Sequence, residues 1–199
     1  MEKQGTENHL QSFRKTMERI IPISDTDWQM ISQKFEPIEV PKRTLLTKEG
    51  QIASSIYFII KGILRIFYTK EDVEITGFIF SEGLFASCYE SFLLQTKSNQ
   101  TLEALEDCVL LTIDYHTLQT LYKEVPALHI VGRVVAEQRF INGQRILSSH
   151  LLDSHEERYR QFADQYPDLL QRVPQHIIAS YLGITPVSLS RIRKRISRK

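Results

Sequence analysis

The residues of this chain that can do chemistry are gathered at its C-terminal end. Arg191, Arg193, Lys194, Arg195, Arg198 and Lys199 lie in a stretch, from Pro174 onward, that holds no acidic residue. That stretch carries about +6 while the whole chain has a formal net charge of +1, so the remainder is about −5. Lys and Arg gathered in this way suit phosphate, because they release condensed counterions when they meet a nucleic-acid backbone. A solvated basic tail would carry the same charge, so the residues in front of it decide. Val173–Ile196 reads VPQHIIASYLGITPVSLSRIRKRI. Gln175–Leu182 forms a short apolar helix, Gly183 supplies the left-handed turn that ends it, and Thr185 with Pro186 provides an N-cap and first-turn proline for a second helix. On that second helix Leu189 and Ile192 can pack against Ile178 and Leu182, which turns Val187, Ser188, Arg191 and Lys194 or Arg195 outward. A helix of this kind fits the major groove of double-stranded DNA. Arg191 is the candidate for a bidentate guanine contact, Ser188 and Thr185 for base or phosphate, and Val187 for a thymine methyl. Arg193, Lys194, Arg195 and Arg198 are positioning charges. The bland alternative is a helical hairpin with a basic end.

Other chemistries find no set of residues. Cys88 and Cys108 are too few for a disulfide framework or a cysteine-ligated cluster, and both are expected as reduced thiols. His116, His129, His150, His155 and His176 follow no metal spacing, and His150 and His155 miss a common helical face. No histidine lies between His9 and His116, which leaves the strand-rich part of the chain without the histidine and carboxylate cluster of a metal-dependent barrel enzyme. No nucleophile and base set, phosphate-cradling glycine loop or metal-spaced cysteine pair occurs. No enzymatic activity, metal or resident cofactor is therefore expected. No apolar run approaches the ~18 to 20 residues of a membrane span, and MEKQGTENHLQSF lacks the apolar centre of a secretory signal. The expected location is the cytoplasm, with no membrane partner.

The elements that must position the basic end can be read along the chain, which at 199 residues and 42% apolar content can bury a real core. His9–Ile20 places Leu10, Phe13, Met17 and Ile20 at helical spacing, Pro22 stops it, and Ser24 or Asp25 caps a short second helix through Trp28, Met30 and Ile31. From Ile38 to Asp114 short β-branched and aromatic runs alternate with Gly50, Gly62, Gly77 and Gly83. Strands are expected at Glu36–Val40, Thr44–Thr47, Ser55–Lys61, Ile63–Thr69, Glu74–Phe80, Gln100–Ala104 and Cys108–Asp114. No crossover helix fits between them, which favours a roll or sandwich over a parallel sheet. Pro126–Leu152 reads as one long helix with Leu128, Val131, Val134, Val135, Ile141 and Leu147 on a broad apolar stripe. At roughly 25 residues it spans almost 40 Å, and a second copy of the chain is its natural partner. An intramolecular connector packed on its own roll is the competing explanation. A last helical region begins near Asp153 or Ser154, runs through Tyr159 and Phe162, and stops before Pro167.

This order of parts resembles the Crp/Fnr superfamily of bacterial transcription regulators. Ile56–Tyr68, IYFIIKGILRIFY, matches the family's strand-glycine-strand signature, and Ala179–Ile192 with its Leu182-Gly183-Ile184-Thr185 turn matches the helix-turn-helix. The resemblance implies an α+β fold: N-terminal helices and an antiparallel, jelly-roll-like β-roll of cyclic-nucleotide-binding type over 1–125, a dimerisation helix over 126–152, and a small helix-turn-helix domain over 153–199. It implies a homodimer on a near-palindromic DNA operator, with RNA polymerase as a further partner and a small-molecule effector in the roll.

The family's cyclic-AMP binders carry a cassette resembling FGE and, later, an arginine for the cyclic phosphate. Here Phe85-Ala86-Ser87-Cys88-Tyr89 stands in that place, with Cys88 at the glutamate position and Ser98 at the arginine position. A buried phosphate without a cation is costly, so ordinary cyclic-AMP binding is not expected. Lys97 is adjacent, but neighbouring strand residues face opposite sides. Phe85, Ser87, Cys88, Ser98 and Asn99 are the effector-pocket candidates. A non-standard cyclic-nucleotide site and a thiol redox sensor at Cys88 are the alternatives. Iron-sulfur sensing of the family's type needs N-terminal cysteines, and none precedes Cys88. Asp168–Val173 leaves little room for a full β-wing.

Overall fold

The computed structural model describes residues 2–196, with residues 2–6 as backbone alone, so the expected charges Arg198 and Lys199 lie outside the described residues. Two compact units emerge. The first comprises the chain up to Ile66 together with Ile79–Gln138, and the second Phe67–Phe78 with the chain from Arg139 onward.

The first unit begins with α1 (Glu2–Glu18), longer at its N-terminal end than the apolar spacing implies, and α2 (Asp25–Ser32), capped by the Ser24 hydroxyl, which accepts from the Asp27 N–H at 3.1 Å. Along the chain the strands are β1 (Glu36–Val40), β2 (Leu45–Thr47), β3 (Ser55–Lys61), β4 (Leu64–Lys70), β5 (Val73–Phe80), β6 (Phe85–Ala86), β7 (Thr101–Ala104) and β8 (Cys108–Asp114), of which Phe67–Phe78 in β4 and β5 belongs to the second unit. They form two four-stranded sheets in the orders β1-β8-β3-β6 and β2-β7-β4-β5. Chain neighbours other than β4 and β5 are thus dealt to opposite sheets, as in a jelly roll. Register is set by pairs such as Glu36 with Thr112, Ile59 with Leu110 and Phe58 with Phe85.

The β3 strand departs from simple alternation, with Tyr57, Phe58 and Ile59 all buried. Both faces of its sheet are covered, and such strands read as continuous apolar runs. On the outer face Phe13 of α1 meets Phe58 at 4.7 Å between ring centroids and Phe35 at 4.6 Å. Gly62 turns the chain between β3 and β4 at φ +109°, and a side chain there would collide with Cys108 Sγ. Cys108 is thus a packing residue, buried against this turn, and burial pushes its thiol pKa up.

Four short elements were not legible in the sequence. These are β6, α3 (Tyr89–Leu94), α4 (Tyr115–Glu124) and α7 (Leu169–Arg172). The α4 helix is capped by the Asp114 carboxylate, which accepts from the Thr117 N–H at 3.0 Å. The long helix is α5 (Ala127–Leu152), 26 residues. At its start the Tyr122 ring stacks on His129 at 5.0 Å, and a Cβ on Gly132 would lie 2.5 Å from the Tyr122 hydroxyl. Gly132 therefore admits α4, a closer role than the general helix approach its size suggests.

In the second unit α6 (His155–Gln165) begins with a capping box. The Ser154 hydroxyl accepts from the Glu157 N–H, and the Glu157 carboxylate accepts from the Ser154 N–H at 2.8 Å. The chain continues through α7, α8 (Gln175–Tyr181) and α9 (Pro186–Ile196). Tyr159, Phe162, Leu169, Val173, Ile177, Ile178, Leu182, Leu189 and Ile192 form its buried core. The α7 turn occupies the place where a β-wing had little room.

Candidate nucleic-acid interface

The α8–α9 turn is built from backbone bonds that the local residues dictate. Ile184 N–H donates to Ala179 C=O and Gly183 N–H to Ser180 C=O, both at 3.0 Å, with Gly183 at φ +65°. This is a Schellman closure, which needs a left-handed residue one past the helix end. Glycine is required twice over, because a Cβ there would also lie 2.9 Å from the His150 imidazole. Thr185 then caps α9, its hydroxyl accepting from the Ser188 N–H at 3.1 Å, and Pro186 takes the first helical position.

Two further residues support this turn. Arg158 of α6, only 7% exposed, donates from Nε to Leu182 C=O at 2.9 Å and from Nη1 to Asp153 C=O at 2.8 Å. It joins the start of α6 to the end of α8 through these two carbonyls. Ser180 of α8 does similar work for the edge strand β5, donating to Glu74 C=O and accepting from Thr76 N–H, each at 2.9 Å. Edge strands leave such groups unpaired. A helical arginine amid Glu156, Glu157 and Arg160 reads as a surface charge, so the sequence offered no signal for Arg158.

With Leu189 and Ile192 buried, α9 presents its other side. Val187 is 60% exposed, Arg191, Arg193, Lys194 and Arg195 are exposed, and Ser188 is half-buried with its hydroxyl 3.0 Å from that of Thr185. At about 100° per residue, Val187, Ser188, Arg191, Lys194 and Arg195 fall within one helical face. Arg193 lies about 200° around the helix from Arg191 and so leaves that face. Arg195 is not simply solvated, since its guanidinium meets Glu156 of α6 at 3.1 Å. Tyr181, half-buried at the end of α8, has its phenol pKa pushed up to about 12 by burial, with Tyr166 adding to the shift.

The long helix carries apolar residues on more than one side. Leu128 and Val131 are buried within the single chain and Val134 and Val135 are half-buried, whereas Ile141 is exposed. Leu128 and Val131, expected on the surface offered to a second copy, are thus covered by their own chain, so the competing intramolecular packing holds for the start of α5. Ile146 is half-buried, whereas Ile130, Phe140, Ile141, Leu147, Leu151 and Leu152 are exposed, Phe140 at 67% and Leu152 at 82%. A helix apolar around its circumference is one that needs cover on more than one face.

The effector-pocket candidates fall into three groups. Phe85 turns outward to α1, its ring 5.0 Å from Phe58 and 6.0 Å from Phe13, and Asn99 is exposed. These two do not join the others, because β6 pairs so that Phe85 shares the outer face with Phe58. Ser87, Cys88 and Ser98 are buried, and their polar atoms engage the chain itself. Ser87 Oγ donates to Ser55 C=O at 2.9 Å, while Ser98 Oγ donates to Gln100 C=O at 2.9 Å and accepts from Gln100 N–H at 3.0 Å. Cys88 Sγ lies 3.6 Å from the same Gln100 carbonyl at 0% exposure, with no route for an oxidant to its sulfur in this conformation. Tyr57, which the sequence did not single out, joins this inner group. Burial raises its pKa and Cys88 lies close enough to add to the shift. Arg65, buried on β4, meets a single Glu103 carboxylate oxygen at 2.6 and 2.7 Å through two nitrogens. Among the described residues no buried side-chain nitrogen or oxygen lacks a partner, and no group of three His, Cys, Asp or Glu residues could hold a metal. No helix of the described residues is long and apolar enough to cross a membrane.

Comparison with known proteins follows this division. Residues 37–125 match the family model of the cyclic nucleotide-binding domain. No curated protein matches the sequence at a significant level. Among solved structures, the c-di-GMP-responsive global regulator CLP of Xanthomonas campestris is 19% identical, with 88% of this chain and 92% of that chain covered at a TM-score of 0.71. A transcriptional regulator ascribed to the Crp/Fnr family from Eubacterium rectale is 17% identical, with 88% and 84% covered at 0.68. The catabolite activator protein of Thermus thermophilus is 19% identical, with 90% and 86% covered at 0.53. The fold read from the sequence is borne out, and the likeness to these regulators is one of fold.

Proposed function

We propose that this chain, with its Crp/Fnr fold and cyclic nucleotide-binding-type domain, is a homodimeric, sequence-specific DNA-binding transcription regulator and not an enzyme. We read 1–125 as its sensor-type domain, 126–152 as its dimerisation connector and 153–199 as its DNA-binding domain, in a bacterial cytoplasm. The observation that carries the reading is the outer face of α9, where Val187, Ser188, Arg191, Lys194 and Arg195 project from a helix rooted by Leu189 and Ile192. Arg191 reads a guanine, Val187 and Ser188 adjoin it at the base edges, Thr185 lies at the helix entry, and Lys194 meets phosphate, with Arg195 beside it on the same face. The exposed apolar residues of α5 from Ile130 to Leu152 form the surface for the second copy. RNA polymerase is the further protein partner of this reading.

The deciding experiment compares Arg191→Ala with Lys194→Ala on a cognate operator and on random DNA. Arg191→Ala should cost about 1–3 kcal/mol on the operator alone, whereas Lys194→Ala should weaken all DNA evenly and lower the salt slope by about 1. Equal loss of specificity in both would contradict the assignment.

For the roll, we propose that cyclic AMP is not bound in the family's usual way, because Ser98, Cys88 and Gln100 already satisfy one another and the buried Arg65 is matched by Glu103. One similar structure is described as c-di-GMP-responsive, which makes that dinucleotide worth testing beside cyclic AMP and cyclic GMP. A ligand at 100-fold over its Kd would stabilise the fold by about 2.7 kcal/mol. An unchanged melting temperature with all three supports a different effector or none.

A further inference from the structure

Glu156 stands at the second position of α6, in the first turn after the Ser154 cap, where the helix dipole favours a carboxylate. One of its oxygens accepts from Arg160 Nη2 at 2.7 Å, and the other meets Arg195 Nη2 at 3.1 Å. The carboxylate is more enclosed than Arg195, at 25% side-chain exposure against 59%. It is therefore fixed three ways: by its helix end, by a cation on its own helix and by a cation on the recognition helix. Arg195 shares a face with Arg191 and Lys194, so the group that Glu156 holds is one of those meant for phosphate.

We propose that Glu156 is an affinity-setting residue that withholds Arg195 from the DNA backbone. The inference rests on the DNA-binding reading. A guanidinium committed to a carboxylate releases no counterion when DNA arrives, because its charge is already balanced. The protein then contacts fewer phosphates than the basic residues of α9 would allow, and its grip on non-cognate DNA is correspondingly weaker. Base readout through Arg191 is unaffected, so the pairing favours discrimination over raw affinity.

The test uses the full chain and four proteins: wild type, Glu156→Gln, Arg195→Gln and the double variant. Each is titrated against a labelled random duplex over a series of salt concentrations. Glutamine keeps the size and hydrogen-bonding reach of Glu156, and circular dichroism melts verify that all four are folded. Glu156→Gln should tighten binding and steepen the log K against log salt slope by about 0.9 per protomer. Arg195→Gln alone should leave the slope nearly unchanged, and in the double variant the gain should vanish. Two results overturn the proposal. One is a loss of about 0.9 in slope from Arg195→Gln alone, which means that Arg195 already meets phosphate. The other is an equal gain from Glu156→Gln with and without Arg195, which makes Glu156 a general repulsive charge. Absence of salt-dependent DNA binding in the wild type overturns the functional reading itself, a distinguishable outcome.

Discussion

Two segments of this molecule lead into helices, and they differ in where their polar atoms go. Before α9, the Schellman closure at Gly183 and the Thr185 cap satisfy the backbone locally, which frees Arg191, Lys194 and Val187 to face outward. Around α3, Cys88 makes no side-chain cap, Ser87 before it bonds to the Ser55 carbonyl of β3, and Ser98 after it bonds to the Gln100 backbone. One segment spends its local chemistry on holding an exposed surface. The other spends it on closing an interior. A binding site needs groups that are positioned but not saturated, and by that criterion α9 is equipped and the region around Cys88 is not.

Substitutions sharpen the comparison, because equal chemical losses should have unequal consequences for binding. The largest effect is expected from Arg158→Ala, which strips two carbonyls of their charged partner at a buried site. About 2–4 kcal/mol of stability in the second unit should disappear, with DNA binding lost at temperatures where the first unit still melts normally. Urea denaturation followed by signals from each unit checks this. Gly183→Ala comes next, at about 1–2 kcal/mol for forcing a Cβ into the left-handed region, with displacement of His150 in addition. Fluorescence anisotropy should show weakened operator binding as the turn shifts. Thr185→Ala removes a cap, worth about 1 kcal/mol. Ser98→Ala costs a comparable amount in the roll, about 1 kcal/mol, and leaves the affinity for DNA as it was. If Ser98→Ala changes DNA affinity more than Thr185→Ala does, the two segments are coupled and the comparison fails.

The smallest effect concerns acid. Hydrogen bonds from Ser154 hold the Glu157 carboxyl below its ordinary value, and hydrogen bonds from Thr117 do the same for Asp114. Both groups have a folded pKa lower than the unfolded one. Their contribution is therefore complete above the ordinary carboxylate range and is lost as pH falls through the folded values. Glu157→Gln should flatten the decline in stability between neutral and strongly acidic pH, as read from denaturation midpoints. An unchanged decline would show that the capping box contributes nothing through its charge.

How much of this could be read beforehand depended on whether the determinants were local. The turn between α8 and α9 was legible because Gly183, Thr185 and Pro186 act on their own backbone within a few residues. Leu189 and Ile192, for their part, reveal the buried face by spacing alone. The longer strands were legible for the same reason, with ends shifted by a residue or so at β2, β4, β5 and β7. Elements fixed by distant partners were not. The two-residue strand β6 exists only through pairing with Tyr57 and Phe58, and α4 depends on a cap at Asp114 that looked like a strand end. Phe85 was misplaced because the direction of a residue in a two-residue strand follows from its register and not from its neighbours. Arg158 went unseen because its value lies in two carbonyls, one of them 24 residues away in sequence. On α5, Leu128 and Val131 could not be told from Ile141 and Leu147, since an apolar residue does not declare which of two partners covers it.

The most direct test of the central claim is selection of binding sites from a random double-stranded DNA library by the purified full chain, followed by sequencing of the bound fraction. The account predicts an enriched, near-palindromic site whose half-sites are centred about one helical turn apart, roughly 34 Å. Recovery of no sequence preference, or of a single unpaired half-site bound by a monomer, would contradict it.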